Sequence, residues 1–177
     1  QDSIQGQSPG VLPFVARIQL AYFRGLEPDP GLVTAVKEGF ADWPYRAVNT
    51  ATLNSLVTCQ VDGRCKLPDF QALEILNAAM RNARLSEADR AEVLKLIAQY
   101  RINRLNDLNG GSELVRQAVQ LYDKPESRIM YAQCLALQQK YNEALDELDQ
   151  ADSLDRLGTV RRLVERERAN IRAAQTQ

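Results

Sequence analysis

Two cysteines separated by five residues are the strongest chemical signal in this 177-residue chain. Cys59 and Cys65 flank the sequence QVDGR, in which Asp62-Gly63 is a pair typical of tight turns. A turn of that kind brings the two sulfur atoms within bonding range, and a disulfide here would clip a loop between two helices. Closing so small a ring is worth roughly 2 kcal/mol by the chain-entropy estimate. The pair therefore predicts a disulfide and an oxidising compartment.

Other chemistry at this loop stays open. A metal ion would need Asp62 and Asp69 as oxygen ligands beside the two thiolates, because the chain contains no histidine. A redox pair lacks support, since the spacing differs from the two intervening residues of thioredoxin-like motifs, and free thiols in a cytosolic protein are a further alternative. Cys134 has no cysteine near it in sequence and is expected to be a small buried hydrophobic residue. We predict no metal site and no cofactor.

The absence of histidine also limits catalysis. The commonest general base, the Ser-His-Asp and Cys-His arrangements and most zinc sites all depend on histidine. Only carboxylate or lysine chemistry would remain, and the sequence shows no converging pair of acids. We therefore predict no catalytic residues and no enzymatic activity in this chain.

Composition narrows the class of partner. A hydrophobic fraction of 45% with 25% charged residues is typical of a globular protein. The formal net charge of -1 argues against nucleic acid as a partner, because such binding needs clustered Lys and Arg. No apolar run approaches the roughly 20 residues that span a bilayer. The chain begins at Gln1 without a signal peptide, so we expect it to be part of a longer protein that meets a membrane only through a region before Gln1.

Apolar residues recur three or four positions apart, which predicts helices joined in pairs. We expect an all-α domain over 11–177 after a polar linker over 1–10. The predicted elements are helical hairpins at about 11–43, 44–83, 86–123 and 126–153, followed by a capping helix at 155–174.

Local signals refine these helices. Ser86 with Asp89 is a capping-box variant that predicts the start of a long helix. The segment 109–111, Asn-Gly-Gly, predicts its end. Phe70 in the second hairpin and Leu157 in the capping helix are expected to face inward with the other apolar residues.

Small and large apolar residues alternate at helical spacing between Ser127 and Asp152. Ala132 and Ala144 stand where two backbones must approach closely. The other positions of this pattern are Tyr131, Leu135, Tyr141, Leu148 and Ala151. The stretch resembles a tetratricopeptide repeat, a helix-turn-helix unit of about 34 residues. It departs from that family in having Gln139 at the turn glycine and no proline after Ala151, and an ordinary amphipathic hairpin is the alternative.

The resemblance implies a right-handed array of antiparallel helical hairpins whose first helices line a concave binding side. The expected binding residues are Gln99, Asn103 and Asn106 of the long helix, with Gln133 and Leu137 of the repeat-like pair. These side chains are mostly neutral, which favours a protein or peptide partner, with a glycan as a second option, and weak dependence of binding on salt. The alternative for the polar face of the long helix that carries Gln99, Asn103 and Asn106 is an ordinary solvated surface.

The whole chain also resembles the extracytoplasmic carboxy-terminal domains of bacterial inner-membrane polymerases and glycosyltransferases of envelope glycans. The features that carry this resemblance are a cysteine-clipped hairpin, a degenerate tetratricopeptide unit and an arginine-rich last helix. It implies a periplasmic location and a non-catalytic interaction module of a larger membrane protein. The alternative is an accessory domain that engages the substrate or acceptor of such an enzyme. An arginine-rich face could instead bind phosphate or RNA, but glutamates interrupt it.

Overall fold

In a computed structural model, the described part of the chain comprises Arg17 and residues 30–42, 46–64 and 67–176. These ranges contain eight α-helices and confirm the all-α prediction. None of these helices is long and apolar enough to cross a membrane. The chain divides into two compact units, 1–89 and 90–177, and each is described by itself. The predicted linker over 1–10, and all but Arg17 of the first predicted helix, lie outside the described residues.

The N-terminal unit contains three described helices: α1 (Pro30–Asp42), α2 (Arg46–Val61) and α3 (Asp69–Met80). Helix α3 packs against α1 and, over a smaller area, against α2. Two polar contacts tie α1 to the α3 region. Lys37 Nζ lies 2.7 Å from Glu74 Oε2, and the buried Asn82 side chain donates to the Phe40 carbonyl at 3.1 Å.

Helix α3 leaves exposed one residue that we predicted to face inward. Its inward residues are Ala72, Ile75, Leu76, Ala78 and Ala79. The prediction that Phe70 faces the core is wrong, because its side chain is 63% exposed. The helix is apolar on several sides, and the face with the small alanines is the one that lets neighbouring backbones approach closely.

Helix α2 ends in a Schellman motif at the predicted turn. Gly63 has φ +69°, its N–H donates to the Gln60 carbonyl at 3.1 Å, and the Arg64 N–H donates to the Cys59 carbonyl at 2.9 Å. The turn at Asp62-Gly63 is therefore confirmed. Cys65 lies outside the described residues, so its disulfide with Cys59 stays a prediction.

The C-terminal unit contains nearly all of α4 (Glu87–Leu105), and then α5 (Leu108–Leu121), α6 (Pro125–Leu137), α7 (Tyr141–Leu154) and α8 (Arg161–Gln175). From α5 onward each helix packs against the next. The capping box before α4 is confirmed. The Asp89 N–H donates to Ser86 Oγ at 3.2 Å, and the Ser86 N–H donates to Asp89 Oδ2 at 3.3 Å.

The glycine pair belongs to α5 and does not end α4, which corrects the prediction for 109–111. Helix α4 stops at Leu105, and Asn106 follows with φ 55°. Asp107 then caps α5 by accepting from the Gly110 N–H at 2.8 Å. A Cβ at Gly111 would lie 2.4 Å from Ile102 Cγ1 and 3.1 Å from the Ala98 carbonyl. Glycine is needed there because α4 and α5 approach so closely.

The hairpin of α6 and α7 has the packing that the repeat-like pattern predicts. Ala132, Leu135, Ala144, Leu148 and Ala151 are all buried in one core with residues of α8. The turn between the helices is a second Schellman motif, with Gln139 at φ 62°. The Gln139 N–H donates to the Ala136 carbonyl and the Lys140 N–H to the Leu135 carbonyl, both at 2.9 Å.

Helix α8 begins six residues later than predicted, at Arg161. Its inward residues Val164 and Ile171 are buried, as expected, and so is Val160 just before it. Leu157 lies in the preceding loop and is 88% exposed, so the prediction that it faces inward is wrong. The physical reason is that the Asp155 carboxylate accepts hydrogen bonds from the N–H groups of Thr159 and Val160. These bonds keep residues 155–159 outside the helix.

Candidate binding groove

Two stripes of side chains at helical spacing define the candidate surface, which lies within the C-terminal unit. On α4 the stripe consists of Glu92, Lys95, Gln99 and Asn103. On α6 the residues at the corresponding spacing are Glu126, Met130, Gln133 and Leu137. Residues spaced by three or four positions share one face of a helix, so each stripe is continuous.

An open groove of about 750 Å³ lies where the two stripes begin. Glu92 and Lys95 of α4 line it together with Glu126 of α6. The remaining lining residues are Lys124 and Pro125 at the start of α6, Leu154 at the end of α7, and Asp155, Arg156, Leu157 and Thr159 of the loop before α8. The groove therefore brings together the N-terminal ends of both stripes.

Ion pairing inside the groove leaves only part of its charge exposed for a ligand. The lining contains three acidic and three basic residues. Lys95 Nζ lies 2.9 Å and Lys124 Nζ 3.8 Å from the same oxygen of Glu92. The Lys124 ammonium also lies 5.0 Å from the centre of the Tyr122 ring, within cation–π range. The groove offers both signs of charge, so it has no strong preference for an anion or a cation.

The apolar part of the groove is exposed to solvent. Leu157 is 88% exposed, and Leu154 and Pro125 stand near it in the same lining. A leucine that remains in water gives up the roughly 1.5 to 3 kcal/mol that burial of its side chain provides. A ligand with an apolar side chain would recover part of this free energy on binding.

Asp155 holds the loop that displays Leu157. Its carboxylate accepts from the Thr159 N–H and hydroxyl, both at 2.9 Å, and from the Val160 N–H at 2.7 Å. Desolvation alone would raise the pKa of the Asp155 carboxyl, but these hydrogen bonds, with one from the Arg161 backbone, outweigh it and hold the pKa below its ordinary value. The loop is thus fixed before any ligand arrives.

An ion-pair network fixes the start of α6, which also lines the groove. Arg128 donates from Nε and Nη2 to the two carboxylate oxygens of Asp123, and from Nη1 to Glu147 Oε2, each at 2.7 Å. The bidentate geometry is the strong form of such a contact. It joins the segment before α6 to α7, and so determines where Lys124 and Pro125 stand.

The structure places the five predicted binding residues on or next to the stripes, beyond the groove itself. Gln99 is half-buried, whereas Asn103, Gln133 and Leu137 are exposed, the last at 64%. Asn106 is exposed but lies after α4 and not on it, which corrects its placement on the long helix. None of the five lines the groove. Their role in binding stays a prediction.

Sequence reasoning missed the groove because its lining comes from three separate segments of the chain, 92–95, 124–126 and 154–159. The one available signal was that Glu92 and Lys95 continue the stripe of Gln99 and Asn103. Charged residues on a helix usually indicate only a solvated face. Their proximity to an exposed leucine follows from the tertiary structure alone.

A further reactive side chain, Cys134, does not line the groove. Cys134 is a buried free cysteine packed with Ala98 and Val115, as predicted, and its burial raises the pKa of the thiol to about 11. Within the described ranges, no cluster of three or more Cys or acidic residues is arranged to hold a metal ion.

No protein-family model, curated protein or solved structure matches this chain.

Proposed function

We propose that the chain is a non-catalytic interaction module that binds an extended polypeptide along the groove and the two stripes that begin in it. The observation that carries the proposal is that α4 and α6, the first helices of two successive pairs, share one groove. A tetratricopeptide-like array would use the same helices for binding, and the Schellman turn and alanine contacts of the α6–α7 hairpin support that comparison.

The lining indicates the chemistry of the partner. Leu154 and Leu157 favour an apolar side chain, and Glu126 and Arg156 can each pair with a charge of the opposite sign. Further along the stripes, Asn103 and Gln133 offer amide groups that hydrogen-bond to a peptide backbone. The mixed charges predict that binding depends only weakly on salt.

The proposal also includes the setting of the module. We propose that it belongs to the extracytoplasmic, periplasmic part of a larger membrane protein, with Cys59 and Cys65 joined in a disulfide. The Schellman motif at Gly63 supports this, because it folds the chain back beside Cys59 one residue before Cys65. A substrate- or acceptor-engaging role in a glycosyltransferase is the alternative, with a glycan as the ligand.

Site-specific photocrosslinking tests the proposal. A photoreactive amino acid replaces Glu126 in the groove, Gln133 on the stripe, or Gln120 on the exposed side of α5 as the matched control. We expect one polypeptide from an envelope extract to be crosslinked at 126 and at 133 but not at 120. Equal capture at all three positions, or capture at 120 alone, would remove the groove as the binding surface. A crosslinked species that is lost on glycosidase treatment and resists protease would favour the glycan alternative.

A further inference from the structure

Helices α7 and α8 carry opposite charge on neighbouring surfaces. Helix α7 contains five acidic residues and no Lys or Arg. Helix α8 contains five arginines against two glutamates. The two helices pack side by side through one apolar core, which leaves their charged faces outward.

Contacts between the two helices define their direction. Gln175 Nε2 lies 3.2 Å from Asn142 Oδ1, and Arg168 Nη2 lies 2.6 Å from Asp149 Oδ1. The start of α7 therefore lies beside the end of α8, and the helices are antiparallel.

Internal ion pairs use only some of these charges. Arg168 pairs with Asp149 and Asp152, and Glu147 pairs with Arg128. Within α8, Arg166 lies near Glu167 and Arg161 lies near Glu165. Within the described part of the chain, four exposed charges on the two helices have no ion pair. They are Glu143 and Asp146 on α7 and Arg162 and Arg172 on α8.

We propose that this surface, formed by the outer faces of α7 and α8, binds a second copy of the chain. A twofold axis parallel to the helices would place α7 of each copy against α8 of the other. Because the helices are antiparallel, Arg172 would then face Glu143 and Asp146 of the second copy. Arg162 would face the other end of that acidic helix. At the Arg172 contact each copy supplies the charge that the other lacks, and the twofold axis repeats this contact, so the two surfaces are self-complementary.

The size of the surface sets the expected strength. Helices of 14 and 15 residues are about 21 Å long at 1.5 Å per residue. Two of them side by side cover about 400 Å² per copy at the usual interhelical spacing of 8–10 Å. The total lies below the 1,200–2,000 Å² of stable interfaces. The dimer should therefore be weak and easily dissociated by salt, although the formal net charge of -1 opposes it little.

A charge-swap experiment tests the proposal with the full chain. One variant carries Glu143→Arg and Asp146→Arg, and the other carries Arg162→Glu and Arg172→Glu. Sedimentation equilibrium at low salt should show a monomer–dimer equilibrium for the unmodified protein that disappears at about 0.5 M NaCl. Each variant alone should be monomeric, because residue 172 of one copy and residues 143 and 146 of the other would then carry charge of the same sign at both symmetry-related contacts. An equimolar mixture should form a heterodimer, because both facing pairs would again be complementary.

A control variant carrying Gln117→Arg and Gln120→Arg on α5 should dimerise like the unmodified protein. Circular dichroism verifies that all variants fold, and the exposed positions make unfolding unexpected. The proposal fails if the unmodified protein is monomeric at low salt and high concentration. It also fails if the folded variants do not associate when mixed. Retention of the dimer by either variant alone would place the self-association elsewhere on the chain.

Discussion

Two turns of the molecule have the same backbone geometry but different residues at the critical position. After α2, Gly63 occupies the left-handed conformation at φ +69°, and after α6 Gln139 occupies it at φ 62°. Both turns make the two hydrogen bonds of a Schellman motif. Glycine adopts this conformation without steric cost, whereas a residue with a side chain gives up roughly 1 kcal/mol or more.

The difference between the two turns indicates which interactions stabilise each hairpin. The α6–α7 turn tolerates Gln139 because the helices on either side share a dense core around Ala132, Ala144 and Leu148, all fully buried. Helix α2 makes a smaller contact with α3, so this pair relies more on its connection. We therefore expect the C-terminal hairpin to depend on packing, and the hairpin of α2 and α3 to depend on its turn and the proposed disulfide.

The largest effect should come from overpacking the α6–α7 core. Ala144→Leu adds three heavy atoms where no space remains, and should lower the free energy of unfolding by about 1 to 3 kcal/mol. Glu143→Leu, one residue away and exposed, should change it little. Urea unfolding followed by circular dichroism measures both. Equal losses in the two variants would show that packing at Ala144 does not hold the hairpin.

The disulfide should give the next largest effect, in the other hairpin. Protein exported to an oxidising compartment and alkylated without reduction should show Cys59 and Cys65 unlabelled by mass spectrometry. Replacing both with serine should cost roughly 2 kcal/mol by the chain-entropy estimate. Labelling of both thiols in the exported protein would contradict the predicted disulfide and, with it, the argument for an oxidising compartment.

Exchanging the two turn residues tests the comparison directly. Gln139→Gly should stabilise the protein by about 1 kcal/mol, because it relieves the left-handed strain. Gly63→Gln should destabilise it by a similar amount, and through the backbone alone, since a Cβ at Gly63 meets no atom within 4 Å. Thermal unfolding of both variants provides the measurement. A loss of stability from Gln139→Gly would mean that the Gln139 side chain contributes contacts that outweigh the strain.

The sequence predicted packing best where small and large residues alternate in one strict pattern. Ala132, Ala144 and Leu148 are buried as expected, because only one face of each helix could accommodate them. Helix α3 was harder, since its apolar residues cover several faces and periodicity does not choose among them. The predicted single domain over 11–177, the array and the binding residues stay predictions.

Helix boundaries failed for a related reason. A glycine pair usually ends a helix, but Gly111 is required by the close approach of α4, and a Cβ at Gly110 would collide with the Asp107 carboxylate that caps α5. Sequence alone reveals neither constraint. Asp155 was predicted to start the last helix, yet its carboxylate caps residues four and five positions later. The groove and the exposed Leu157 follow from that capped loop, so neither could be predicted without the tertiary structure.

A third turn can be compared with these two, and a substitution there should change stability the least. Between α7 and α8 the chain is held by the Asp155 carboxylate, and Gly158 at φ +70° completes the turn. Because hydrogen bonds lower the pKa of Asp155 in the folded protein, its stabilising contribution is complete above the ordinary carboxyl pKa of 3.8. That contribution is lost as the pH falls through the lower, folded-state pKa.

Asp155→Asn keeps one acceptor oxygen and removes the charge, so it should lower the melting temperature at pH 7 by less than Gln139→Gly raises it. The difference between the variant and the unmodified protein should shrink as the pH falls below about 3.8, in melting curves recorded from pH 7 to pH 2. A difference that stays constant over this range would show that the charge of Asp155 does not hold the turn.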